Sequence, residues 1–492
     1  MTSPAILNAL DAAGYSARRS GELSRRESHW DTHDGVLRRQ GFELVHDAAA
    51  GEWRLAGPEE LIGQLGSGEA PPAEGPLAER LPAGASGRHF LPWLHAEAEG
   101  ESFSAARRGE RGTEIALARW TLASPLRAGA TRRRSLVHIR GEAAEVNAAA
   151  TVIRALARCR LVQGGLLEHG LRSLGLPVPG SPPPAALRLA GADPPPAALA
   201  KLLARQGLAI AANGPGVVAD LDPEFVHDLR VATRRARAAL RLARVAGHPA
   251  RAALAADLAW LARACGPLRD LDIFALRVEA GIAKIGADRA AEEPLRLALR
   301  GRRAGAHAAA AKAIGSARFA ALLERLRAPG LRHPRRRSQA APAPTIADSA
   351  PALVEQALRR LMRWRHRDVA TLEAADLHAI RILGKRARYA LEFFAPVLPA
   401  ANQPALAALI AAQDCLGAHQ DAVVSAFRLE QLARELLDAG AGAQSLLLIG
   451  GLLRGERAAQ RRERRRFASR ADQLWKRVGV LRRLLRPRPT PT

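Results

Sequence analysis

Two stretches of this chain carry the same cations at the same spacing. Residues 226–242 read VHDLRVATRRARAALRL and residues 377–393 read LHAIRILGKRARYALEF. His227 aligns with His378, Arg230 with Arg381, Arg234 with Lys385, Arg235 with Arg386 and Arg237 with Arg388, each pair 151 residues apart. Side chains of this kind suit the binding of anions. Guanidinium forks match phosphate oxygens, and an ammonium serves as a point charge. General acid–base work by either histidine would need a partner nucleophile, and metal binding would need Cys or acid at metal spacing. The stretches contain neither, so the histidines read as phosphate donors or as groups orienting a helix end.

The spacing requires a helix. At 100° per residue, His227, Arg230, Arg234, Arg237 and Arg241 fall within an arc of about 80°, and the stripe is about 21 Å long. Leu229, Ala232, Ala236, Ala239 and Leu240 lie opposite and form the core face. In the second copy His378, Arg381, Lys385 and Arg388 share the polar face, with Ile380, Leu383, Ala387 and Leu391 opposite. A solvated face normally mixes signs, because like charges at i,i+4 destabilise a helix. Here the sign is uniform, and Asp270, Asp272 and Asp421 on neighbouring helices are the acids available to offset it.

A second motif repeats at the same period. Gly266-Pro267-Leu268-Arg269-Asp270 aligns with Gly417-Ala418-His419-Gln420-Asp421. Two motifs at one period indicate an internal duplication. Leu, Ala and Arg recur at helical spacing from Ala197 onward, so the predicted frame is all-α, two antiparallel four-helix bundles related by a pseudo-two-fold. The half-repeats run over about 197–330 and 350–488, divided by an interruption from Gly330 to Pro351. Ser445–Leu453 is too short and too glycine-broken to span a bilayer and reads as core helix. Further basic clusters, Arg302, Arg303, Lys312 and Arg318, and Arg457, Arg461, Arg462, Arg465 and Arg466, are expected to flank the stripes and widen the basic surface.

Composition agrees with a binding role. The 492 residues carry a formal charge of +26, unevenly spread. Residues 1–178 hold 22 basic and 21 acidic side chains, whereas residues 179–492 hold 52 and 27. Such a surface attracts polyanions. Cys159, Cys265 and Cys415 are far apart, which argues for a reducing cytoplasm and against a disulfide framework. The N-terminus lacks the pattern of a secretion signal, and no membrane partner is expected.

Residues 1–178 read as a separate α+β domain. A helix is expected over Ile6–Ala13, strands on both sides of a turn within His29–Val45, and strands at Glu52–Ala56, Thr113–Ala123 and Arg134–Arg140. A helix is expected at Glu142–Arg158 and a loop over 66–88. The proline-dense stretch 179–196 reads as a stiff linker before the helical domain of 197–488.

The run WDTHDGVLRRQGFEL resembles the strand pair of the CYTH, or triphosphate-tunnel, family: Trp30, Asp31, Thr32, Asp34, Gly35, Leu37 and Gly41 match. The resemblance implies a β-tunnel. Active members open with a Glu-x-Glu-x-Lys strand, missing here. They also carry a late strand of alternating carboxylates, near where this chain has RSLVHIR with His138 and Arg140. The tunnel is therefore expected to be degenerate and non-catalytic, without a metal or cofactor. The alternative is metal-dependent triphosphatase activity using Glu43, Glu52 or Glu114.

The duplicated helix and the motif after it resemble the CHAD family, the conserved-histidine α-helical domain, over about residues 197–485. The resemblance implies two four-helix bundles with a basic surface that binds inorganic polyphosphate, in bacterial or archaeal cytoplasm and at polyphosphate granules, often fused to a CYTH domain. By this likeness the binding residues are His227, Arg230, Arg234, Arg237, His378, Arg381, Lys385 and Arg388, and the stripe adds Arg241. Arg235, Arg269, Arg386, His419 and Gln420 are secondary candidates. Nucleic acid is the competing partner, but single-strand binders offer aromatic platforms. The first stripe has none, and Tyr389, Phe393 and Phe394 accompany the second.

Overall fold

The computed structural model describes residues 3–57, 61–67, 71, 79–82, 84–85, 88–107, 112–155, 165–242, 249–328 and 344–486. Cys159, the last residues of the helix expected over Glu142–Arg158, and most of the interruption between the half-repeats lie outside them. The chain divides into two units, Met1–Pro182 and Pro183–Thr492.

The first unit is a seven-stranded antiparallel sheet in the order β4-β3-β2-β1-β5-β6-β7. Its strands are β1 Ser16–Thr32, β2 Glu43–Asp47, β3 Glu52–Ala56, β4 Leu61–Ser67, β5 Phe90–Ala106, β6 Thr113–Ala123 and β7 Thr131–Arg140. No pairing joins the edge strands β4 and β7 among the described residues. Helices α1 Ser3–Ala12 and α3 Ala143–Ala155 cover one end. Ile6 and Leu10 of α1 and Ala149 and Ile153 of α3 pack on Phe103 and Ile115. The short helix α4, Leu166–Ser173, packs on β5.

The WDTHDG run is a capping device. Asp31 is buried, and its carboxylate accepts from the backbone N–H of Thr32, Leu37 and Arg38 at 2.7, 2.9 and 3.0 Å. It thereby fixes the one-turn helix α2, Val36–Arg39, between β1 and β2. Thr32 Oγ1 accepts from Val36 N–H at 2.9 Å and donates to Asp34 at 2.8 Å. Gly35 sits at φ 68°, and a Cβ there would stand 2.5 Å from the Pro179 carbonyl carbon, so glycine is required twice over.

One expectation for this unit needs correction: Gly66 and Ser67, read as loop, close β4. The late strand β7 carries no carboxylate, while β5 bears Glu97, Glu99 and Glu101, the first two exposed. Arginines of β1 engage two of them, Arg26 with Glu97 at 3.0 Å and Arg19 with Glu101 at 2.8 Å. Of the acids named for catalysis, Glu43 bonds His29 at 3.0 Å and Glu114 pairs with Arg25 at 3.3 Å.

The second unit is helical: α5 Pro195–Val218, α6 Pro223–Leu242, α7 Pro249–Ile285, α8 Arg289–Ile314, α9 Ala317–Arg327, α10 Ile346–Leu361, α11 Ala374–Phe394, α12 Asn402–Asp438 and α13 Ala443–Leu485. Helices α5–α8 form one ring of neighbours and α10–α13 the other, giving the two expected bundles. The 43-residue α13 has two counterparts in the first half, because Gly315 ends α8 and Ser316 caps α9 through the N–H of Phe319. The far ends of α7, α8, α12 and α13 build a further core shared by both halves, including Phe274, Ile282, Leu295, Leu432, Ile449 and Leu452. The proline-rich stretch is not all spacer, since the carbonyls of Gly191 and Asp193 accept from Ala347 and Ile346 at the start of α10. Helix α10 also begins earlier than expected, with Pro351 inside it behind a Thr345–Asp348 capping box. No helix among the described residues is long and apolar enough to cross a membrane.

Candidate anion-binding site

Helices α6 and α11 present the stripes because their opposite faces are buried. On α6 the buried residues include Phe225, Val226, Leu229, Ala232, Ala236 and Leu240. Gly216 of α5 admits the Phe225 ring, for a Cβ there would lie 2.2 Å from it. On α11, Leu377, Ile380, Ala387, Ala390 and Leu391 are buried, and a Glu373–Asp376 capping box fixes its start.

The two helices meet, which brings the copies of the stripe together. Arg234 Nε donates to Tyr389 Oη at 2.9 Å. Arg235 pairs with Glu392 at 2.6 Å, and Arg388 reaches the other oxygen of the same carboxylate at 2.6 Å. The Arg235 guanidinium also lies 5.4 Å from the Phe393 ring centroid. Arg235 and Arg388 therefore join α6 to α11, and Arg388 is drawn to Glu392 instead of standing alone in its stripe.

Arg230, Arg234, Arg381 and Lys385 form the centre. Burial is the largest influence on Lys385, followed by repulsion from Arg381 and Arg234. Together, against the attraction of Asp421, they push its pKa from 10.5 to about 7. Burial likewise holds Arg381 and Arg230 below their ordinary range, opposed by Asp421 and Asp270 respectively. Arg381 Nε is buried without a hydrogen-bond partner. The repeated aspartates thus occupy equivalent posts. Asp270 lies 3.3 Å from Arg230, with Arg428 donating to its carbonyl at 2.6 Å. Asp421 stands beside Arg381, and burial raises its own pKa.

The groove beside this centre has a volume of about 300 Å³ and is lined by Arg230, Arg234, Arg237, Ala259, Ala262 and Arg263. Arg237 and Arg241 continue it into a smaller pocket of about 140 Å³ with Arg251. Arg241 then shares a cavity of about 260 Å³ with Arg386 and Arg360. Arg263 was not expected. It lies seven residues before Asp270 on α7, hence on the same helix face, but only the packing of α7 against α6 reveals that this face borders the stripe.

The histidines flank the centre. Burial and the nearby Arg269 lower the His227 pKa. His378 Nδ1 lies 3.0 Å from Gln420 Oε1. Arg269 and Gln420 are equivalent by the repeat, so each stripe histidine meets the same post of the second motif. Arg269 contacts the Pro223 carbonyl at 3.3 Å and Glu224 at 3.2 Å, tying α7 to the first turn of α6. His419 is misplaced by the sequence reading. It is buried, and its neighbours in charge are Arg464 and Glu463 of α13, away from the stripe. Asp272 is also absent from the centre, being bound to Arg303 at 2.8 Å.

The downstream clusters do not widen the surface as expected, for most of their members are neutralised. Arg303 also pairs with Asp220 at 2.7 Å, Arg318 with Asp257 at 2.8 Å, Arg457 with Glu430 at 2.9 Å and Arg466 with Glu463 at 2.9 Å. Arg302 pairs with Glu435 and Arg462 with Glu463.

Residues 197–430 match the model of the CHAD domain family. Among solved structures, the CHAD domain from the plant Ricinus communis is 28% identical, covering 59% of this chain and 96% of that one, with a TM-score of 0.46. PptA from Streptomyces chartreusis is 22% identical, covering 58% of this chain and 100% of that one, with a TM-score of 0.44. No curated protein matches.

Proposed function

We propose that the CHAD domain of this chain binds inorganic polyphosphate, without turning it over, through the paired faces of α6 and α11. The observation that carries this reading is the convergence of Arg230, Arg234, Arg381 and Lys385. The two repeats bring their cations to one place, half-buried, where burial and mutual repulsion disfavour charge. A polyanion relieves that cost, and charge-assisted hydrogen bonds to it are strong in such a setting. A phosphate chain needs no base platform. The groove beside the centre is lined by arginine and alanine, and the Tyr389 hydroxyl is already engaged by Arg234. That composition favours a bare phosphate chain over nucleic acid. Triphosphatase activity of the sheet unit is the lesser reading, since of its candidate acids Glu43 is bonded to His29 and Glu114 is paired with Arg25.

The test is polyphosphate affinity of the full chain and of Arg230→Ala/Arg381→Ala, with helicity monitored in parallel. Each lost charged hydrogen bond is worth roughly 1.5–3 kcal/mol, so the double variant should bind at least ~100-fold more weakly with unchanged helicity. Unchanged affinity overturns the reading. So does displacement of long-chain polyphosphate by duplex DNA or RNA at equal phosphate concentration and fixed salt.

A further inference from the structure

The basic surface does not stop at the stripe. Beyond Arg241 and Arg386, the cavity they share is closed by Arg360 of α10 and Leu383 of α11. Those same two residues border a larger cavity of about 420 Å³, whose other walls are Arg363, Trp364 and Arg367. The pockets are thus consecutive, each sharing a residue with the next: Arg237, then Arg241, then Arg360.

Three features make the last cavity a site rather than a solvated corner. First, Arg360, Arg363 and Arg367 have no carboxylate partner among the described residues, unlike most arginines of the downstream clusters. Second, their spacing of three and four residues runs from the end of α10 through and just past the 3₁₀ turn Met362–Trp364, so that all three line one cavity together with Trp364. Third, the segment is held in place. Met362 is buried beneath the turn, and Arg464 of α13 donates to the Val369 carbonyl at 3.0 Å just beyond it. Rigid placement reduces the ordering cost of binding.

We infer that Arg360, Arg363 and Arg367, set around Trp364, form a distal phosphate subsite that receives the continuation of a chain already held by the α6–α11 stripe. The inference rests on the polyphosphate reading. From Arg230 to Arg241 the helix alone advances about 16 Å, further than a triphosphate reaches, so only longer chains engage both ends. Affinity then depends on chain length through the linkage of two subsites on one ligand.

The experiment compares triphosphate with long-chain polyphosphate on the full chain, using Arg363→Ala/Arg367→Ala and Trp364→Phe. Both arginines are exposed, so their removal spares the fold. The arginine variant should lose about ten-fold or more in affinity for the long chain and nothing for triphosphate. Long chains should perturb indole fluorescence in the parent protein and not in Trp364→Phe, and triphosphate should leave this signal untouched. Wild-type affinity for the long chain in the arginine variant overturns the subsite. A Trp364-dependent response to triphosphate, or a stronger one to a nucleoside triphosphate, overturns it in favour of an independent small-ligand pocket. These outcomes are separable from failure of the parent reading, in which Arg230→Ala/Arg381→Ala would leave long-chain affinity unchanged.

Discussion

On strand β1, Arg19, Arg25 and Arg26 each meet a carboxylate of β5 or β6; on helix α6, Arg230, Arg234 and Arg237 border one groove and, among the described residues, only Arg230 of the three has an acid. Both regions are rich in arginine, so abundance alone separates nothing. What differs is whether the charge is spent within the fold. Exposed pairs such as those on β1 contribute about 0–1 kcal/mol each and give a neutral face. Accumulation at the α6–α11 centre costs stability, and a protein keeps such a cost where a ligand offsets it. The pairing state of arginine therefore separates the two regions where its count does not, since the count singles out the α8 and α13 clusters as well.

The comparison breaks most readily at its centre. Arg234→Glu would give the helical unit the pairing that the sheet unit already has, by setting a carboxylate beside Arg381 and Lys385. Polyphosphate affinity should fall by more than ~100-fold, while thermal stability holds or rises. A loss of binding accompanied by unfolding would mean that the cations are structural.

Titration sharpens the contrast, because the two units respond to pH in opposite directions. Burial works against the charge of His29, but Glu27 and Glu43 outweigh it and raise its pKa from 6.5 to about 9. Its contribution is complete below pH 6.5 and is lost as the pH rises through about 9. Lys385 is depressed from 10.5 to about 7, so between those values the unfolded chain binds the extra proton and stability rises with pH. Calorimetry from pH 6.5 to 9 should show the sheet-unit transition falling and the helical one rising. Parallel shifts would refute the contrast. Bound phosphate favours protonated Lys385, so affinity should also decline as the pH rises above about 7, by at most ten-fold per pH unit, and Lys385→Arg should flatten that slope.

The smallest effect belongs to the cap. Asp31→Ala removes the acceptor for three N–H groups and should cost about 1–2 kcal/mol, lowering the sheet-unit transition with polyphosphate affinity intact. It also identifies which calorimetric transition is which. A change in affinity would tie the WDTHDG run to ligand after all.

Much of this was legible in the residues. The 151-residue period located α6 and α11 to within a few positions, because a one-sided stripe leaves little freedom in how a helix is turned. The alignment also held the warning about His419, which stands opposite Leu268, a core position in the first copy. Strand β5 was missed because Ala96 and Ala98 line a buried face where β-branched residues would signal a strand, and only sheet packing decides such a segment. Arg388 lies on the correct helical arc, yet Glu392 one turn on captures it. Arg360, Arg363 and Arg367 form a plain basic run in sequence; the meeting of Arg360 with Arg386 depends on how α10 packs on α11.

Glu392, gripped by Arg235 from one repeat and Arg388 from the other, has a consequence for how the site's charge can change. Two identical subunits around a true dyad would place the same residue at both central posts, so every substitution would alter the charge in steps of two. Fused and pinned in one chain, the halves hold Arg234 at one post and Lys385 at the other, a permanent cation facing one that gives up its proton near neutrality. One proton, on Lys385 alone, therefore steps the charge of the centre while Arg234 keeps its own.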